Sequence, residues 1–133
     1  MERGKIKSYR DLIVWQKSYD LCLKIYEATR RFPGEEKYGL VSQIRRAAVS
    51  IPSNIAEGQA RGKGKEFIQF LRIAYGSTME LHTQISLARD LNFLDARKSE
   101  DLLSLAHEVE LMLAALMRSL KRKIADSKTN STT

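Results

Sequence analysis

Apolar residues recur three and four positions apart along most of this chain, the period of amphipathic helices, and the pattern breaks only at a few glycines and prolines. The first periodic segment runs from about Tyr9 to Arg31, with Leu12, Trp15, Tyr19, Cys22, Leu23 and Tyr26 predicted on the core face. Phe32-Pro33-Gly34 ends it, because proline disfavours helix in the residue before it. A second predicted helix, about Leu40 to Glu57, aligns Leu40, Ile44, Ala47, Ala48, Ile51 and Ile55. Gly58, Gly62 and Gly64 are expected to terminate it. The third, from about Lys65, carries Phe67, Phe70, Leu71, Ala74, Thr78, Leu81, Ile85 and Ala88. Its Gly76 and Ser77 are poor helix formers and suggest close approach by another backbone. Asn92-Phe93-Leu94-Asp95 makes the last corner, with Asp95 as a helix N-cap. The fourth helix runs to about Ile124 on Leu102, Ala106, Val109, Leu113, Leu116, Leu120 and Ile124.

With no predicted strand and short corners, the fold class is all-α, an up-down-up-down antiparallel four-helix bundle. Residues 1–8 read as a flexible N-terminus, 9–124 as the bundle domain and 125–133 as a disordered tail. Two features depart from a minimal bundle. Pro52 sits inside the second helix, where its missing N–H and its ring cost about 3 kcal/mol unless the helix bends, so a kink is expected there. Ser50, Ser53 and Asn54 are placed to bond the freed backbone groups. The first helix carries a second apolar stripe, Val14, Leu21, Ile25 and Ala28, which widens its apolar arc to roughly 220° where about 100° is ordinary. Two neighbours within the bundle would explain that width, and so would an oligomer interface on Val14, Leu21, Ile25 and Ala28.

Charge changes the picture more than composition does. The net charge is +7, which favours acidic partners such as nucleic acid. Arg61, Lys63 and Lys65 crowd the corner after the second helix, with Arg72 two turns on, and Arg118, Lys121, Arg122 and Lys123 crowd the end of the fourth. In an up-down bundle these regions lie at one end, so they are expected to form a single phosphate-binding surface that is salt-dependent and largely indifferent to sequence. Stacking platforms are not expected, since Trp15, Tyr19 and Tyr26 fall on the predicted core stripe.

Catalytic chemistry finds little support. Glu80 and His82 point apart and His107 lies off the Leu102 stripe, so the Glu-x-x-His pattern of a di-iron bundle is missing. The nearest arginines preceding His82 and His107 are Arg72 and Arg97, about three turns away, which argues against a small helical nuclease. The glycines after Gly58 do not form a phosphate loop. Cys22 is the only cysteine, which suits a reducing compartment and excludes a thiolate cluster. No stretch is apolar enough for a membrane span, so the expectation is a cytoplasmic, non-enzymatic protein without cofactor or metal.

The runs YRDLIVWQKSYDL at 9–21, RRAAVSIPSNIAEG at 45–58 and FIQFLRIAYGSTMELHTQI at 67–85 together resemble the 23S rRNA-intervening-sequence proteins, over about Tyr9 to Leu120. That family is similar in fold to the accessory variability protein of diversity-generating retroelements, a basic pentameric barrel that binds nucleic acid and a reverse transcriptase. The resemblance implies a homo-oligomer with a pentamer favoured, and hence the interface reading of the first helix. It also implies nucleic acid, ribosomal RNA among the candidates, and a reverse transcriptase or other protein as partners. Pro52, Asn54, Ile55 and Glu57 would shape the bent second helix. A protein-interaction scaffold whose charge only keeps it soluble remains the alternative.

Overall fold

The computed structural model describes residues 6–131, with side chains through Lys128, and no strand occurs among them. A 3-10 turn at Tyr9–Asp11 leads into α1 (Ile13–Thr29), and a second at Gly34–Glu36 precedes α2 (Leu40–Ala60). Then come α3 (Lys65–Asp90) and α4 (Ala96–Ser131). Each helix packs on the next and α4 closes against α1, which makes an antiparallel four-helix bundle.

The chain start is tied down earlier than its composition suggests. Ser8 Oγ accepts the Arg10 N–H at 3.2 Å, and Asp11 Oδ2 accepts the N–H groups of Lys7 at 2.8 Å and Ser8 at 3.2 Å. The Lys7 and Ser8 N–H groups hold the Asp11 carboxyl below its ordinary range. Residues 1–5 of the expected flexible start lie outside the described residues. At the other terminus the expected disordered tail is corrected: α4 continues past Ile124 to Ser131, leaving 132–133 outside the described residues. No glycine or proline interrupts residues 96–131, and a helix once nucleated propagates cheaply through such a segment.

The largest correction concerns α1. Val14, Leu21 and Ile25, expected at an oligomer interface, lie in the chain's own core, where Leu21 and Ile25 are 0% exposed, and Ala28 packs half-buried beside them. The stripe predicted to be core faces outward instead: Tyr19, Leu23 and Tyr26 are 48%, 55% and 38% exposed, with Trp15 and Cys22 half-buried between them. The buried stripe includes Ser18 and Thr29, whose hydroxyls donate to the carbonyls of Trp15 at 2.9 Å and Ile25 at 2.8 Å. Both hydroxyls are thus satisfied within their own helix and can be buried cheaply. Tyrosines turned inward would need partners that the aliphatic core does not supply.

Along α2, Val41, Ile44, Ala47, Ala48, Ile51, Pro52 and Ile55 are buried, much as the periodicity predicts. The helix is continuous across Pro52, although Ala48 loses the N–H that residue 52 would donate. Asn54 Nδ2 donates to the Ser50 carbonyl at 2.8 Å and to Ser50 Oγ at 3.0 Å, and Ser50 Oγ meets Ser77 Oγ of α3 at 2.8 Å. This clasp bonds the turn around Pro52 to the neighbouring helix. Gly58 does not end α2, as expected from sequence, but lies buried within it. A Cβ there would stand 2.7 Å from Phe70 Cβ and 2.9 Å from Phe67 Cδ1, so Gly58 marks a close approach of α3 that leaves no room for a side chain. Gly76, expected to mark such an approach, has open space above it. The chain turns at Gly62, whose φ of 113° suits glycine.

The opposite end is closed by aromatic packing. The Phe32 and Phe93 rings lie 5.5 Å apart and join the α1–α2 and α3–α4 corners. Asn92 adopts φ 66° after α3, with the Phe93 N–H reaching the Ala88 carbonyl at 2.8 Å, and Asp95 Oδ1 accepts the Lys98 N–H at 2.8 Å as expected of an N-cap. Arg45 caps α1 from α2, donating to Thr29 Oγ1 at 2.9 Å and the Tyr26 carbonyl at 3.3 Å.

The two glycines give opposite expectations for stability in urea melts. Gly58→Ala should destabilise by about 1–3 kcal/mol, because the added methyl overpacks against Phe67 and Phe70 despite its better helix propensity. Gly76→Ala, in open space on a helix surface, should stabilise by about 0.5–1 kcal/mol.

Candidate nucleic-acid interface

The corner 61–64 joins α2 to α3 at the end where α4 finishes, so the two basic runs converge. Lys65, Ile68, Gln69 and Arg72 of α3 and Lys121 and Ile124 of α4 line one open cleft of about 280 Å³. The helical period explains the lining: residues three, four and seven apart on α3 share a face, as do Lys121 and Ile124 on α4. Ile68 is buried and Ile124 half-buried, which gives the cleft an apolar floor beneath cationic walls.

The eight basic residues singled out from sequence are not equivalent here. Arg61 is already engaged, with Nη2 3.3 Å from Glu57 and Nη1 3.8 Å from Glu66, and its guanidinium lies over the Phe70 ring. Glu57, expected to help shape the second helix, is exposed and serves as this ion partner. Lys65, Arg72 and Lys121, in the cleft, have no acidic partner among the described residues. Lys63, Arg118, Arg122 and Lys123 are exposed around it. Elsewhere some surface cations are paired: Lys17 with Glu108 at 3.1 Å, Lys24 with Asp20 at 3.2 Å and Arg89 with Asp90 at 3.0 Å. A larger hollow of about 390 Å³ between α1 and α4 mixes Lys24, Arg30, Arg31 and Lys98 with Glu27, Asp95 and Asp101. Its four cations share the hollow with three acids, so it offers an anion no comparable excess.

A second surface feature escaped the sequence reading. Tyr9, Trp15, Tyr19, Cys22 and Leu23 form a groove of about 360 Å³ with Val49, Pro52, Ser53 and Ala56 of α2. The Trp15 ring lies 5.1 Å from Tyr9 and 5.0 Å from Tyr19, and Arg10 covers Tyr9 and Trp15. The aromatic ladder expected inside is therefore outside. The signal that could have found it is the tyrosine content of one stripe against the serine and threonine of the other.

The histidines form a small cluster rather than lying alone. Glu110 Oε1 is 3.1 Å from His82 Nε2 and 3.5 Å from His107 Nδ1. The closer pair is not aligned for a hydrogen bond, and the buried Nε2 has no hydrogen-bond partner among the described residues. No arginine joins them among the described residues, and no set of three His, Cys, Asp or Glu side chains there is arranged to hold a metal ion. Among the described residues no helix is long and apolar enough to cross a membrane.

The molecule is thus a four-helix bundle with an unpaired basic cleft at one end and an aromatic groove along one side. It belongs to the family of the 23S rRNA-intervening sequence proteins, whose profile matches residues 10–115. Among solved structures it is similar to a protein of unknown function from the S23 ribosomal protein family of Bacteroides thetaiotaomicron. The two share 22% identity with a TM-score of 0.74, over 80% of this chain and 96% of that one. None of the curated proteins matches the chain.

Burial pushes the Cys22 thiol above its ordinary range. Little thiolate forms near neutrality, so alkylation by iodoacetamide at pH 7.5 should run slower than for a free thiol. Its rate should keep rising beyond the pH at which a free thiol levels off. A normal thiol titration curve would show that the groove does not shield the sulfur.

Proposed function

We propose that this protein is a non-enzymatic, oligomeric helical bundle that binds nucleic acid through its basic end. The observation that carries the reading is the cleft of Lys65, Arg72 and Lys121, three cations on two helices with no acid pairing them among the described residues. Phosphates satisfy such a group by releasing counterions, which gives affinity with little sequence preference. The family's name links it to ribosomal RNA genes, which makes RNA the first ligand to try, with DNA beside it. The exposed Tyr19, Leu23, Tyr26 and Val49 support the oligomeric part, since an apolar strip of this kind is a surface that a second copy can cover. The same strip supports the alternative of a protein-interaction scaffold.

Binding to labelled RNA and DNA across a salt series separates these readings. Replacing Lys65, Arg72 and Lys121 together by glutamate should reduce the salt slope by roughly three, about one per lost phosphate contact. Arg61→Ala should reduce it by much less, because Arg61 already faces Glu57 and Glu66. No binding at low salt would leave the scaffold reading.

Light scattering should give a mass above one subunit. Tyr19→Glu with Leu23→Glu, both at exposed positions, should shift that mass to a monomer while helicity by circular dichroism is kept. A monomeric wild-type protein would overturn the oligomer.

A further inference from the structure

Resting on the nucleic-acid reading above, we infer that the α3–α4 cleft accepts an unpaired nucleotide of a single strand, its base laid on Ile68 and Ile124 and its flanking phosphates held by Lys65, Arg72 and Lys121. A purely phosphate-binding surface needs cations and solvent, and an apolar floor is of no use to it. Here the floor lies between the cations, and Gln69 brings an amide to the same lining, a group able to donate to and accept from a base edge. At about 280 Å³ the cleft sits near the lower size limit of small-molecule pockets, about 300 Å³, which suits one flat ring rather than a stack of them.

A duplex fits this arrangement poorly. Its bases are stacked inward and its outer surface is sugar and phosphate, so docking it would engage Lys65, Arg72 and Lys121 while leaving the floor open to water. A single strand has both faces of its chemistry free, since an unstacked base can be turned into the cleft while its neighbours stay outside. A strand is also a better match than a free nucleotide, because the unpaired charge continues beyond the cleft. Arg118, Lys121 and Arg122 lie three and four residues apart on one side of α4, and Lys63 precedes Lys65 at the corner. Each further phosphate along a strand finds a cation there, whereas a mononucleotide has none to give.

The test uses the full-length protein and fluorescein-labelled twelve-nucleotide probes at one fixed salt concentration, read by anisotropy. The probes are oligouridine, a blunt RNA duplex of the same length and charge per strand, and an abasic strand that keeps sugars and phosphates but has no bases. Oligouridine should bind at least fivefold more tightly than the abasic strand and the duplex. Gln69→Ala with Ile124→Ser should remove most of that difference while the salt slope stays unchanged. Ile124 is half-buried near the end of the bundle and Gln69 is exposed, so both changes should leave the fold intact, which circular dichroism checks. Equal binding of oligouridine and abasic strand, or duplex binding as tight as oligouridine, overturns the inference and leaves phosphate binding standing. Loss of oligouridine preference with Tyr19→Glu rather than with the cleft variants also overturns it, by moving base contact to the aromatic groove. Displacement of the strand by uridine monophosphate at equal nucleotide concentration overturns the strand as ligand. Absence of binding by every probe at low salt removes the underlying nucleic-acid reading as well.

Discussion

The choice that α1 makes between its two apolar stripes determines the rest of the molecule. Val14, Ser18, Leu21, Ile25 and Thr29 turn inward, and they place compact, branched or self-satisfied side chains against α2 and α4. The closeness of that packing follows from side-chain size: aliphatic groups interdigitate at interior density, and the two hydroxyls cost little because each bonds a carbonyl of its own helix. The rejected stripe holds Trp15, Tyr19 and Tyr26, which bring area but also polar tips that seek water or a partner. Burying the aliphatic stripe therefore puts the aromatic one on the surface, and the groove with Val49, Pro52 and Ala56 follows without any further cause.

The same reasoning shows what the sequence could disclose. Helix number, order and approximate ends follow from period and from the glycine and proline breaks, and α2, α3 and α4 bury nearly the residues that period selects. On α1 a hydropathy pattern counts tyrosine as apolar and serine as polar, and so it inverts the inside and the outside. Glycine was misread for a related reason. Gly58 and Gly76 look alike in sequence, yet one meets two phenylalanine side chains and the other meets nothing, a distinction that depends on how close α3 comes to α2. At the site, topology alone brought the corner after α2 beside the end of α4. Which cations would remain unpaired is legible only in part: Glu57 and Arg61 stand at i,i+4 spacing, whereas Glu66 reaches Arg61 only once the corner has turned at Gly62.

The two ends of the bundle are built for different tasks. At one, Phe32 and Phe93 close the corners against each other and Arg45 caps α1 with three interactions, including 4.5 Å contact of its guanidinium with the Tyr26 ring. At the other, a four-residue corner with glycines at 62 and 64 leaves α3 to begin without a side-chain cap, and α4 runs on past it. Rigid helices flank the corner on both sides, with the Ser50–Ser77 and Gly58 contacts fixing α2 against α3. Charges mounted on such helices keep their spacing, whereas the same charges in a floppy tail would have to be ordered on binding at an entropic cost.

Net charge is weak evidence for a ligand, since +7 spread evenly and interleaved with acids would give a nearly featureless potential at physiological salt. The distribution of acids carries more weight. Exposed pairs such as Lys17–Glu108 and Lys24–Asp20 contribute at most about 1 kcal/mol each to stability, so their value to the fold is small. Their effect on the surface is larger, because each cancels a charge locally, whereas Lys65, Arg72 and Lys121 share one cleft with no acid in its lining. A ligand approaching this protein meets an aromatic groove along one side, a hollow of mixed charge between α1 and α4, and a cleft whose charged lining is all positive over an apolar floor. The cleft is defined by where carboxylates are missing as much as by where lysines and arginines stand, and that is a property of the folded surface rather than of the composition.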